Sequence, residues 1–327
     1  MVLLSYGGGG YEMDDFLKNF VLKNLFLEQE NGLSNDAAVE DGFKNIAFST
    51  DSFVLNPIFI NGANIGKIAA CGSINDVLMM GAMPKYISLA LILEEGFSKE
   101  KLKIILNSFA NELKQANVKL KCGDLKVLPK GKCDEIFINT TCIGDASAFT
   151  NTINPKEIKS GDKIILSGDI ARHGACVMAN RNNFECNIKS DAKCLINEVS
   201  QILKIGGVKC LRDATRGGIA SVLNELSLAC NLEFLIEEEK IIVSDEVFAF
   251  CELLGFSPYD LANEGTFVCI ASANKAEELC AKLQEFNPNS RIIGEVQKNK
   301  ATVILQSPYG LKSVLQSPKG ELLPRIC

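Results

Sequence analysis

A chain of 327 residues has room for two domains of ordinary size, and 47% hydrophobic with 23% charged residues is the balance of a globular protein with a real core. A net charge of -6 and a pI near 5.2 argue against a nucleic-acid partner, which would call for a basic footprint. No run of about 18 apolar residues is present to span a membrane, and Met1-Val-Leu-Leu-Ser-Tyr lacks the basic start of a signal peptide, so the expected location is the cytoplasm.

In chain order, residues 46–50 read as a strand and 64–80 as a helix opened by Asn64 and ending before Gly81. A strand follows at 85–93. Ser98 then caps an amphipathic helix carrying Leu102, Ile105, Phe109, Leu113 and Ala116 on one face. Two more strands are expected near 118–122 and 135–143. The text turns polar around 145–160, with Asn151, Asn154, Pro155 and Gly161, and a domain boundary belongs there. The second half predicts strands at 163–167, 233–237, 266–271, 291–296 and 301–305, and helices near 193–205, 217–230, 245–254 and 274–285. These boundaries give a first domain over 1–148, a second over 155–316, and a tail over 317–327. The tail has no amphipathic period, contains Pro318 and Pro324, and reads as extended.

The thirteen cysteines and single histidine include no C-x-x-C pair, which leaves a zinc site poorly supported. Cys71, Cys142, Cys230, Cys251 and Cys280 sit in apolar or helical text and read as reduced core residues. Cys327 differs, because no following residue gives it a periodic setting. Its neighbouring α-carboxylate raises the thiol pKa, so it suits a carrier role better than that of a self-activated nucleophile.

Aspartates stand at the ends of apolar stretches: Asp36, Asp51, Asp76, Asp124 and Asp213. Taken singly, each reads as a turn or cap residue. As a set they also fit the hard oxygen ligands that hold Mg²⁺ against a triphosphate. Gly7-Gly8-Gly9-Gly10 reads either as a flexible leader or as backbone N–H groups free to meet phosphate. No P-loop is present: Gly62-Ala-Asn-Ile-Gly66-Lys67-Ile68 is one residue short and lacks the following Ser or Thr.

These residues resemble a known family. The glycine-rich start, Asn35-Asp36-Ala-Ala-Val, Thr50-Asp51-Ser-Phe-Val, Asn75-Asp76-Val-Leu-Met-Met-Gly-Ala and the Leu-Ile-Leu-Glu-Glu-Gly of 91–96 are similar to the HypE carbamoyl dehydratases of [NiFe]-hydrogenase maturation. So are Ile-Asn-Thr-Thr at 138–141, Arg212-Asp213-Ala-Thr-Arg-Gly-Gly, Asn263-Glu264-Gly265 and the terminal Pro-Arg-Ile-Cys. The family lies in the ATP-binding superfamily of aminoimidazole ribonucleotide (AIR) synthetase and selenophosphate synthetase.

The resemblance implies an α+β, two-domain, PurM-like architecture. Its N-terminal domain would form a β-barrel across a homodimer, and its C-terminal domain an α/β sandwich. It also implies ATP and Mg²⁺ as cofactors, a carbamoyltransferase that loads Cys327, and delivery of a cyano group to an iron-carrying scaffold. ATP would phosphorylate the carboxamide oxygen of the thiocarbamate, and loss of phosphate would leave a thiocyanate.

Carried over by position, Asp36, Asp51, Asp76 and Asp213 would be Mg²⁺ ligands or neighbours of the triphosphate. Gly8, Gly9, Gly10, Asn75, Asn139 and Thr140 join Asp36, Asp51 and Asp76 about the nucleotide. Lys126 would neutralise developing charge, Glu264 is the candidate base on the carbamoyl nitrogen with Lys126 the other candidate proton acceptor, and His173 would orient the group. The sequence departs from the family in three places. Tyr6-Gly-Gly-Gly-Gly replaces His-Gly-Ser-Gly-Gly, Leu125 replaces the threonine of Gly-Asp-Thr-Lys, and Arg172 stands where an aspartate usually precedes the histidine. Competing readings are a superfamily synthetase acting on a small free substrate, and a nucleotide-binding scaffold without catalysis.

Overall fold

The computed structural model describes residues 1–27, 37–149 and 153–319. Two sheets organise the chain. The first has four strands in the order β1-β6-β4-β5, with β1 Ile46–Phe53, β4 Met83–Glu94, β5 Lys119–Leu128 and β6 Ile136–Asp145. β6 pairs antiparallel with β1 and β4, and β4 runs parallel to β5. That parallel step requires a crossover, supplied by helix α3 (Lys99–Ala116). A two-stranded ribbon of β2 (Phe59–Ile60) and β3 (Ala63–Asn64) leads into helix α2 (Ile65–Met79).

The sequence signals for these helices act as expected. The Asn64 side chain accepts hydrogen bonds from the Gly66 and Lys67 N–H groups, and Ser98 Oγ accepts from Lys101 N–H. Those bonds satisfy donors that a helix start otherwise leaves open. α2 is buried nearly all round: it packs on α3, β1 and β6, and also meets β8 and α5 of the second half. A Cβ at Gly66 would run into the Ile105 carbonyl, and one at Gly72 into the Phe53 ring at 2.8 Å. Glycine at both places lets the helix lie directly on its neighbours.

Helix α1 (Tyr11–Phe16), continued by a π-helical turn over Leu17–Leu22, has no counterpart in the sequence reading. It is held by stacking of Tyr6, Phe16 and Phe20, with the Lys99 ammonium 4.7 Å from the Tyr6 ring centroid.

The second sheet has seven strands in the order β13-β12-β9-β11-β7-β10-β8. They are β7 Lys163–Leu166, β8 Val208–Asp213, β9 Glu233–Glu237, β10 Phe267–Ala271, β11 Arg291–Gln297, β12 Thr302–Gln306 and β13 Lys312–Val314. Its helices are α4 Arg172–Arg181, α5 Ile196–Ile205, α6 Gly218–Cys230, α7 Asp245–Leu254 and α8 Ala276–Gln284. α6 packs on β9, β10 and β12, and α8 on β7 and β11. Strand β10 is buried at every residue. The result is a mixed α/β chain built on two sheets, as the resemblance led us to expect. Among the described residues neither sheet closes into a barrel. Cys71, Cys142, Cys251 and Cys280 are buried as read from the sequence, whereas Cys230 is half-buried.

Candidate functional site

The edge strand β8 of the second sheet rests against α2 of the first half. A cavity of about 420 Å³ lies along that seam. Strand alternation turns Ser49 and Asp51 of β1 toward α2, where Asp76 sits in the last turn. Ser49 Oγ donates to Asp76 Oδ2 at 2.5 Å. Asp213 enters from the end of β8, and Glu264 from the 261–266 segment that leads into β10.

Three carboxylates thus face one another. Burial raises the Asp51 pKa to about 6, with repulsion from Asp76 and a hydrogen bond shared with it adding to the rise. Asp213 is raised to about 7, first by burial and then by Asp76, and Asp51 adds a smaller part. Arg216, largely exposed, gives partial relief with Nη2 3.4 Å from Asp51 Oδ1.

This donor set fits a divalent hard cation. Like charges held together in a half-buried cleft favour either protons or a cation. Among the described residues no group of three or more His, Cys, Asp or Glu side chains stands ready as a full metal cage.

Other sequence candidates lie elsewhere. Both ends of the Asn75 amide are occupied: Nδ2 donates to the Lys193 carbonyl at 3.0 Å, and Oδ1 accepts from Leu195 N–H at 2.9 Å. Asn75 is therefore a clasp between the two halves and is absent from the cavity wall. Thr140 is fully buried, its hydroxyl 2.6 Å from Ser73 Oγ and donating to the Ala69 carbonyl, so it ties β6 to α2 and is absent from the seam cavity's wall. Asn139 donates to the Asp51 carbonyl and Ser52 Oγ, bracing the strand that carries Asp51.

His173 is also fully buried and absent from the cavity wall. Its Nδ1 lies 2.7 Å from Ser190 Oγ, and burial lowers its pKa to about 3, so it is a neutral interior residue. Lys126 is exposed on β5, paired with Asp124 at 3.0 Å. That strand is at the opposite edge of the sheet from Asp51, about 14 Å away at ordinary strand spacing. Gly8, Gly9 and Gly10 follow a short 3₁₀ turn that packs against the same β5. Gly9 and Gly10 have φ of 85° and 81°, a backbone that favours glycine. Asp36 and Cys327 lie outside the described residues.

The sequence reading missed Ser49, Thr215 and Arg216 of the cavity wall. Arg216 had a signal: it follows Asp213 by three residues and precedes Gly217-Gly218, which opens α6 with no side-chain cap. Gly218 has φ of 58°, and a Cβ there would meet the Leu261 and Tyr259 carbonyls, so glycine lets the 259–265 segment close on the helix start beside Arg216. Beyond the cavity, Pro318 Cγ approaches to 3.2 Å of where a Gly217 Cβ would stand, and Asn224 Nδ2 donates to the Leu315 carbonyl. The chain after β13 therefore runs along α6 toward the cavity rim.

The N-terminal domain of the AIR synthase related proteins matches residues 34–146, and their C-terminal domain matches residues 159–306. Carbamoyl dehydratase HypE of Escherichia coli K12 is 37% identical, over 100% of this chain and 99% of its own length. This chain belongs to the HypE family. The HypE of Azotobacter vinelandii is 36% identical over 100% of this chain and 97% of its own. A HypE crystal structure in complex with ATP superposes with a TM-score of 0.94 at 34% identity, covering both chains completely. A chain from the crystal structure of a HypE–HypF complex superposes with a TM-score of 0.82 at 37% identity, covering 91% of this chain and 99% of that one. The structure of AaThiL complexed with AMPPCP and TMP, at 18% identity and a TM-score of 0.64, shares the fold alone. Among the described residues no helix is long and apolar enough to cross a membrane.

Proposed function

We propose that this enzyme dehydrates an S-carbamoyl group on Cys327 to a thiocyanate at the cost of ATP, supplying the cyano ligand for hydrogenase maturation. The observation that carries this reading is the convergence of Asp51, Asp76, Asp213 and Glu264, drawn from both halves of the chain, on one cavity. The net reaction balances as thiocarbamate plus ATP giving thiocyanate, ADP and phosphate, the amide oxygen leaving on phosphorus.

Bound Mg·ATP supplies the phosphoryl group that turns a poor leaving group, the amide oxygen, into a good one. Asp51, Asp76 and Asp213 hold the Mg²⁺, with Asp36 as the fourth candidate. Arg216 offsets phosphate charge at the rim. Glu264, 3% exposed yet lining the cavity, accepts a proton from the carbamoyl nitrogen. The path of residues 315–318 along α6 toward Gly217 supports delivery of the tail cysteine to this place. A carbamoyltransferase loads the cysteine, and an iron-carrying scaffold receives the product.

The reading includes a homodimer. Ile46, Phe48, Ile92 and Ile143 are exposed on the face of the first sheet that α2 and α3 leave bare, with Phe48 directly opposite Ile143. A second copy laid on that face would close the two sheets into a barrel. It would also bring Lys126 and Gly8–Gly10 of one copy toward the aspartates of the other, which a single copy keeps at opposite sheet edges.

Intact mass spectrometry tests the chemistry directly. With Mg·ATP, carbamoyl phosphate and a carbamoyltransferase, the wild type should gain one carbamoyl group and then lose one water. Cys327→Ala should gain nothing. An unmodified wild type, with the transferase active on another acceptor, would sink the carrier role.

A further inference from the structure

Beyond the cavity wall, one buried carboxylate is committed to the backbone that carries Glu264. Asp191 is 9% exposed. Its Oδ1 accepts a hydrogen bond from Glu264 N–H at 3.1 Å, and its Oδ2 accepts from Gly265 N–H at 3.0 Å. The Glu264 carbonyl in turn accepts from Lys193 N–H at 3.5 Å. At Gly265 a Cβ would collide with the Asp191 carbonyl oxygen, so the two backbones touch without a side chain between them.

Asp191 is itself fixed from both halves of the molecule. Ser190 N–H donates to the Asn61 carbonyl at 2.9 Å, and the Asn75 amide grips Lys193 and Leu195 on the other side. Ser190 Oγ accepts from Ala192 N–H and meets His173 Nδ1, so the single histidine braces the turn that presents Asp191. Arg172, ion-paired with Asp169 at 2.6 Å, lowers the cost of the buried charge.

We infer that Asp191 is a positioning residue for Glu264, its carboxylate clamping the Glu264 and Gly265 peptides so that the Glu264 side chain is held over the aspartate cluster. The inference rests on the reading of Glu264 as the proton acceptor. Two charge-assisted bonds, one to each N–H of the two peptide planes that flank the Glu264 Cα, fix both planes and with them the direction of the Glu264 Cα–Cβ bond. Asp191 is absent from the cavity wall. Its effect belongs to the rate of the chemical step rather than to nucleotide affinity.

The test compares Asp191→Asn, Glu264→Gln and the double variant, using the ATP-dependent dehydration rate of the carbamoylated full-length protein and the Kd for Mg·ATP. Asparagine keeps the shape but turns an NH₂ toward one of the two N–H groups. A displacement of the base by about 1 Å costs on the order of 100-fold in rate. The expected result is a loss of that size in Asp191→Asn, an ATP affinity within about twofold of wild type, and no further loss when the change is added to Glu264→Gln. A wild-type rate in Asp191→Asn beside an inactive Glu264→Gln overturns the inference alone. So does a further loss in the double variant, which would mark a merely structural role. A wild-type rate in Glu264→Gln overturns the reading of Glu264 itself. Amide hydrogen exchange in the unmutated protein requires no variant to fold: the Glu264 and Gly265 amides should exchange with the slow core set, and fast exchange at both would overturn the clamp.

Discussion

The half-buried aspartates at the seam and the buried one behind them behave in opposite ways. Asp51, Asp76 and Asp213 face one another across the seam, and the pKa values of Asp51 and Asp213 rise to about 6 and 7. Asp191 is also raised by burial, yet it faces two backbone N–H groups and the Arg172 charge, which work the other way. The first group is a charge excess that either protons or a cation would relieve, and the second is a charge already answered by the fold. The distinction separates residues set for a ligand from residues that hold the architecture, and burial alone does not make it.

The largest expected effect breaks the first group. Asp213→Asn should lower ATP turnover by on the order of 100-fold or more, while the metal-free protein becomes no less stable, because a crowded like charge has gone. Loss of both turnover and stability, read from kinetics and urea unfolding together, would place Asp213 with the architecture instead.

The second prediction breaks the other group. Asp191→Ala leaves two buried N–H donors without an acceptor and should destabilise the fold by about 2–4 kcal/mol in urea unfolding. The contrast with Asp213→Asn is the point of the pair. Equal stability losses in the two variants would erase the distinction.

The third uses pH. The folded pKa values of Asp51 and Asp213 stand above their ordinary value of 3.8. Between about pH 4 and 7 the native chain therefore binds more protons than the unfolded one at these sites, and their contribution to stability falls as pH rises. Mg²⁺ should reverse that fall, so the shift in urea midpoint on adding Mg²⁺ should be larger at pH 8 than at pH 5. An equal shift at both pH values would dissociate the metal from the aspartates.

The smallest effect serves as a reference away from both groups. Ser98→Ala removes the α3 cap and should cost about 1 kcal/mol without changing ATP turnover.

Legibility in the sequence followed how local the controlling interactions are. α2 and α3 were readable because Asn64 and Ser98 cap them from within three residues, and α3 has a clear apolar face. α4 was not: it starts from Ala171 with φ of 71°, has no side-chain cap, and buries seven of its ten residues, so no amphipathic period marks it. Strand β8 was missed because Lys209 and Arg212 interrupt its apolar text. Within the site, the aspartates stood out as carboxylates ending apolar runs. Asn75 looked like a companion to Asp76, yet adjacent helix positions point about 100° apart, and only Asp76 reaches the cavity. Asp191 gave no sign, since its partners are 73 and 74 residues further on.

The Asn75 clasp has a consequence for how the protein is made. Its partners lie 118 and 120 residues downstream. At translation rates of roughly 5–20 residues per second, the finished first half waits on the order of ten seconds for them. Throughout that interval the seam cavity lacks the wall built from Asp213 to Glu264, so the cluster of carboxylates assembles only once the second half has been synthesised.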